Sequence, residues 1–202
     1  MNWNRVMTAT ISSRKPISFA ICYGFVSGPA HGRRLRQELE HAGFTVADIE
    51  VADIIIVHSG GCWLIPARSQ PKLIIYVGMP LALDRPTLTL ARAQRASFSP
   101  GKGHPLPNLK VRILNIYYLL RQGRRNFALV RQAKVAKLVE FPAAQTVFIA
   151  NHYDPWPQSA ALKDLISSKP WAFLGLQGTH DNIWEEPVVY AAIIEHYARL
   201  LA

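Results

Sequence analysis

Short runs of consecutive apolar residues, each closed by glycine, proline or a polar turn residue, recur along the chain. ISFAICYGF holds one such run, predicting a buried strand from about Ile17 to Tyr23. DIIIVHS and KLIIYVGMP hold two more, without the polar alternation of a half-exposed strand. Between the first two, RRLRQELEHAG sets Leu35 and Leu39 four apart on one helix face, and Gly43 supplies a stop. Phe44-Thr45-Val46 reads as a brief strand, and GGCWLIPA as the opening of a helix. The strand pattern resumes in QTVFIANHYDPW and WAFLGLQGTHDNIW. The chain then ends in PVVYAAIIEHYARLLA, a helix whose first turn suits Pro187. Strands alternating with helices predict an α/β fold: a mostly parallel central sheet with helices on both faces.

Residues 81 to 140 break that rhythm. A loop rich in Ser, Pro and Gly, SFSPGKGHPLPN, leads into helical stretches such as VRILNIYYLLRQ and NFALVRQAKVAKLVE. They read as a helical cap inserted into one domain spanning 1–202, a length able to bury a core without metal or disulfide. Charge separates this segment further. The chain carries a net +10, and from Arg85 to Lys137 it has no Asp or Glu beside Arg92, Arg95, Lys102, Lys110, Arg112, Arg121, Arg124, Arg125, Arg131 and Lys134. Such asymmetry fits an anionic partner: an acidic membrane surface or acidic protein met through residues 81–140, or an anionic acyl substrate. It equally fits a solvated basic helix face. No nucleic-acid-binding motif accompanies it.

Cys22 and Cys62 sit within apolar runs and make no disulfide framework or zinc pattern, which suits a reducing compartment. With no signal-peptide core and no apolar stretch near the roughly 20 residues of a membrane span, the expected location is cytoplasmic. The histidines lack a metal-ligand spacing such as H-E-x-x-H, so neither metal nor cofactor is expected.

Chemistry in parallel sheets gathers at the carboxyl ends of strands. Three of those ends carry Ser59 after DIIIVH, Asp154 after TVFIANHY, and His180 after AFLGLQGT. A serine hydroxyl acts as nucleophile only beside a base, and the base needs a carboxylate to fix its tautomer and steady its charge. The three residue types are those a triad requires. Each also has an ordinary reading: a Ser-Gly-Gly turn, an Asp-Pro turn start, and the cap of a helix.

Val57-His58-Ser59-Gly60-Gly61 resembles the nucleophile elbow, G-x-S-x-G, of α/β-hydrolase-fold serine hydrolases. NHYDPW is similar to the acid-bearing segment of that family, and GTHDNIWEEP to its final histidine loop, in the same order along the chain. The resemblance implies Ser59 as nucleophile, His180 as general base then acid, and Asp154 as orienting carboxylate. It implies oxyanion-hole N–H donors from Gly60 and, by the placement of Tyr23-Gly24-Phe25, from Phe25. The implied activity is cleavage of an ester, thioester or amide of a small-molecule acyl substrate. The family pattern has glycine where this chain has Val57, so a strained or displaced turn is expected there.

Other residues compete. Asp84, after KLIIYVGMP, is a reserve acid, and Asp181 adjoins His180. His58 should point away from Ser59 if the strand alternates. Gly24, Gly28 and Gly32, with Asp48 or Glu50 beyond, loosely echo a dinucleotide-binding fingerprint and keep a Rossmann-like cofactor reading open. A non-catalytic protein of the hydrolase fold, docking an anionic partner through its basic cap, is a third reading.

Overall fold

The computed structural model describes residues 15–24, 26–79, 107–132, 143–154, 167 and 169–201. Its strands are β1 (Ser18–Cys22), β2 (Thr45–Val46), β3 (Ile54–His58), β4 (Leu73–Val77), β5 (Gln145–Asn151) and β6 (Ala172–Leu176). They form one sheet in the order β2-β1-β3-β4-β5-β6, and every neighbouring pair runs parallel. The helices are α1 (Arg33–His41), the 3-10 helix η1 (Ser59–Leu64), α2 (Leu109–Gln132), α3 (Asn182–Glu185) and α4 (Pro187–Arg199). None of the described helices is long and apolar enough to cross a membrane.

β3 and β4 are buried at every position, as their unbroken apolar runs require. Alternate residues divide the core in two. Ile54, Ile56, Leu73, Ile75, Val147 and Ile149 pack with Leu35 and Leu39 of α1 and Tyr190 and Ile194 of α4. Ile55, Val57, Ile74, Tyr76 and Phe148 face the other way, with Cys62 of η1 and Ile65. β6 ends the described sheet and alternates between half-buried and exposed positions. Gly43 closes α1 at φ +89°, and the Phe44 N–H donates to the Leu39 carbonyl at 3.1 Å. That glycine-terminated end supplies the expected stop.

Two local readings change in detail. The segment after Ser59 is a six-residue 3-10 helix rather than a longer α-helix, and Ile65-Pro66 leaves it in extended backbone. VRILNIYYLLRQ and the start of NFALVRQ belong to one helix, running through Gly123. A glycine inside a helix costs only about 1 kcal/mol against alanine, too little to break 24 residues. Of the expected cap, α2 and the two residues before it are described.

The order β2-β1-β3 sets where a site can form. The chain leaves β1 toward β2 on one side and leaves β3 toward β4 on the other. In open parallel sheets such a reversal marks the place where a site forms, beyond the carboxyl ends of β1 and β3 here. Ser59 is the first residue after β3 and Gly24 lies two residues after β1.

Candidate active site

Ser59 has φ +51°, and among the described residues it is the only non-glycine at positive φ. That conformation costs a β-carbon residue about 1–2 kcal/mol, and such outliers gather where function needs them. The surroundings hold it there. A β-carbon on Gly61 would lie 2.5 Å from the Cys22 carbonyl oxygen, so η1 starts hard against the end of β1. A β-carbon on Gly24 would lie 2.9 Å from the Ser59 β-carbon and 3.1 Å from the His58 carbonyl oxygen. The loop after β1 therefore runs directly beside the serine.

The strain expected at Val57 does not displace the turn. Val57 pairs with Cys22 of β1 and lies in the same cluster as Ala20, Cys22 and Cys62, all small. Both cysteines are free and buried, and burial pushes the Cys22 thiol up to about 12 and the Cys62 thiol higher still. They serve as packing, as expected for Cys62.

Asp154 and His180 meet. The His180 Nδ1 lies 2.8 Å from Asp154 Oδ2, and the Asp154 side chain is wholly buried. Three backbone bonds fix this approach: His152 N–H to the Leu176 carbonyl at 2.8 Å, Tyr153 N–H to Gly178 at 3.0 Å, and Asp154 N–H to Asn151 at 3.0 Å. Gly78, just past β4, forms the floor. It sits at φ +60°, and a β-carbon there would stand 2.7 Å from Asp154 Oδ2 and 2.9 Å from His180 Nδ1. The pair thus reaches from β6 across β5 to the end of β4, the strand next to β3.

Contact with the serine turn runs through His58. Its ring centroid is 4.8 Å from that of His180, and its Nε2 lies 3.1 Å from the His180 carbonyl oxygen. A carbonyl only accepts, so Nε2 carries the proton and Nδ1 is left as acceptor, facing the Ser27 hydroxyl at 3.4 Å. Burial, reinforced by the neighbouring His180, drives His58 down to about 3, so this imidazole stays neutral. Behind it, Asp181 is buried and accepts a 2.9 Å hydrogen bond from Asn115 Nδ2 of α2. Trp184 packs edge-on to His58 at 4.9 Å. The other carboxylate oxygen of Asp181, Oδ1, lies 3.8 Å from His58 Nε2.

The Nδ1 bond to Asp154 leaves His180 Nε2 for other chemistry. Burial opposes charging of His180, but the Asp154 charge and hydrogen bond outweigh it and raise the imidazole to about 9. Asp181 adds to the same field. The arrangement can hold a proton on Nε2 and release it as pH rises.

Of the residues singled out in the sequence, Ser59 and Gly60 follow β3, Asp154 follows β5 and His180 follows β6, and a hydrogen bond joins Asp154 to His180. Phe25 and Asp84 lie outside the described residues. His58, Asp181, Asn115 and Gly78 complete the surroundings and had no motif to announce them. The glycines of the possible dinucleotide loop have other occupants. A β-carbon on Gly28 would meet the Tyr118 ring at 2.3 Å, and one on Gly32 the Tyr23 hydroxyl at 2.5 Å. Space that a pyrophosphate would need is filled by the protein's own side chains. Among the described residues, no cluster of three or more His, Cys, Asp or Glu could hold a metal ion.

No protein-family model matches this sequence, and no curated protein matches it. Solved structures do. A carboxylesterase of the thaumarchaeon Nitrososphaera gargenis superposes with a TM-score of 0.59 at 11% identity, covering 93% of this chain and 91% of that one. A laboratory-evolved potato epoxide hydrolase gives 0.56 at 13% identity, covering 91% and 92%. Tomato methylketone synthase I, solved with 2-tridecanone, gives 0.56 at 13% identity, covering 93% and 99%. This chain has an α/β-hydrolase fold. In this α/β-hydrolase-fold protein all six strands of the described sheet are parallel, and Ser59 follows β3 at the β1–β3 reversal. The link between β2 and β3 is a tight turn, with the Val51 and Ala52 N–H groups donating to the Asp48 carbonyl.

Proposed function

We propose that the protein is a serine hydrolase that cleaves an ester, thioester or amide through an acyl-enzyme. The observations that support this reading are the strained Ser59 at the end of β3 and the hydrogen-bonded Asp154–His180 pair at the ends of β5 and β6 of the same sheet. Neutral His180 would take the Ser59 hydroxyl proton at Nε2 as Oγ attacks the substrate carbonyl carbon. Asp154 would keep the Nδ1–H tautomer and steady the imidazolium. The carbonyl oxygen, now an oxyanion, would receive the Gly60 N–H, since N–H groups in a helix's first turn lack intrahelical partners. The second donor would come from the loop beside Gly24, at Phe25. Imidazolium then protonates the leaving group. Water, deprotonated by the same histidine, frees the acyl group and restores Ser59.

The fold's similarity to a carboxylesterase agrees with this reading, but Ser59, Asp154 and His180 give it chemical content. A panel of p-nitrophenyl esters of increasing acyl length tests it. The wild-type protein should release nitrophenol with an initial burst equal to enzyme concentration wherever deacylation is slow, and Ser59→Ala should show none. Folded wild type without turnover on any ester, or Ser59→Ala with unchanged turnover, overturns it.

A further inference from the structure

Over residues 109–122, α2 rests on the protein by one side. Val111, Asn115 and Tyr118 are buried. Asn115 bonds Asp181, and the Tyr118 hydroxyl accepts the Ala30 N–H at 3.1 Å. The opposite side is apolar and exposed: Leu109 is 69% accessible, Ile113 57%, Ile116 46%, Tyr117 44% and Leu120 81%. At 3.6 residues per turn these five project within an arc of about 100°. Lys110 and Arg121 border that arc on one side and Arg112 on the other. Tyr117 pairs with Arg121, whose guanidinium lies 5.7 Å from the ring centroid. The helix sequence holds no acidic residue and also carries Arg124, Arg125 and Arg131.

We propose that this outward face of α2 docks the protein onto an anionic lipid bilayer. The pattern is that of a helix lying in the interface plane: apolar side chains enter the headgroup boundary, tyrosine sits at its level, and flanking cations meet lipid phosphates. Charge separates this occupant from the alternatives. A second copy of the chain would bring another +10 and set basic flanks against basic flanks. Nucleic acid would engage the cations and leave the five apolar side chains exposed to water. An acidic bilayer satisfies both at once. Because the buried side of α2 contacts the loops after β1 and β6, docking would hold the carboxyl ends of those strands close to the membrane. The inference does not depend on the chemistry of Ser59, and Ser59→Ala should bind lipid like the wild type.

Co-sedimentation of the full chain with vesicles of phosphatidylcholine plus phosphatidylserine, against phosphatidylcholine alone, tests this. Binding should require phosphatidylserine, weaken with added salt, and fall at least about tenfold in Ile116→Glu/Leu120→Glu. Lys110→Glu/Arg121→Glu should lose the preference for phosphatidylserine. Circular dichroism shows whether each variant is folded; a misfolded pair is replaced by Ile116→Ser/Leu120→Ser, which should show the same loss. Absence of wild-type binding at low salt, equal binding to neutral vesicles, or folded variants that bind like wild type overturns the proposal. A wild-type dimer that the glutamates dissociate, with no lipid binding, overturns it in favour of self-association.

Discussion

The two halves of the site are held by different means. The Ser59 turn is set by local backbone: a wholly buried strand, a positive φ, and glycines pressed against the end of β1. The His180 loop follows β6, a half-exposed strand, and is held from a distance. Its ring is fixed by Asp154 and its carbonyl by His58, while Asp181 beside it is held by Asn115 of α2. The proposed nucleophile is placed by backbone packed against the end of β1 and the loop after it. A base must be aimed and electrically tuned, so it draws on groups far apart in the chain. Damage to the first half should appear as backbone strain, and damage to the second as lost tautomer, tilt or pKa.

The largest separation of the two is expected from Asp154→Asn. It should lower kcat by about 10⁴-fold by favouring the wrong imidazole tautomer, with folding unchanged by circular dichroism. Next comes Gly78→Ala, which would push a methyl between Asp154 and His180 at a positive φ. An effect of about 10²-fold on kcat/KM is expected from misplacing a reacting group by about an ångström. Neither change should move the Ser59 turn.

pH probes the second half without mutation. Asp154 raises the His180 pKa, and a general base must be neutral, so activity should fall as pH drops through the raised value. The acid limb of the kcat/KM profile should therefore lie above the ordinary 6.5, toward about 9, and fall roughly tenfold per pH unit below it. In Asp154→Asn that limb should move down. Stability runs the opposite way: the His180–Asp154 interaction contributes fully below the unfolded-state value near 6.5 and fades as pH rises through about 9.

Smaller effects distinguish positioning from packing. His58→Leu removes the donor to the His180 carbonyl and should cost about tenfold in kcat. His58→Gln, which keeps a donor, should restore part of it, with the gain visible in kcat more than in KM. For the first half, Ser59→Gly should abolish turnover yet raise unfolding free energy by about 1 kcal/mol, as the strain at φ +51° is relieved. Denaturant unfolding measures it, and a glycine variant less stable than Ser59→Ala would contradict the strain.

The same division explains what could be read from the sequence. The strands showed because β3 and β4 are buried on both faces and their apolar runs are unbroken. Ser59 and Gly61 showed because a tight turn needs small residues at fixed spacing. The surroundings of Val57, with Cys22 opposite it on another strand and Cys62 in the same cluster, are a relation that spacing along one segment does not contain. The contact of His58 with the His180 loop, and the parts played by Asn115 and Gly78, went unseen for a similar reason. Their importance comes from a partner 122, 66 or about a hundred residues away. The glycines after β1 suggested a phosphate loop until Tyr118 and Tyr23 proved to occupy their space. Glycine marks close approach, and only the fold says what approaches.

We propose that His180 makes the Ser59 hydroxyl nucleophilic. Fluorophosphonate labelling of the folded protein, with the adduct located by peptide mass mapping, tests it directly. The account predicts one adduct, on Ser59, absent from Ser59→Ala and strongly slowed in Asp154→Asn. A folded wild-type protein that takes no label, or takes it on another residue, contradicts it.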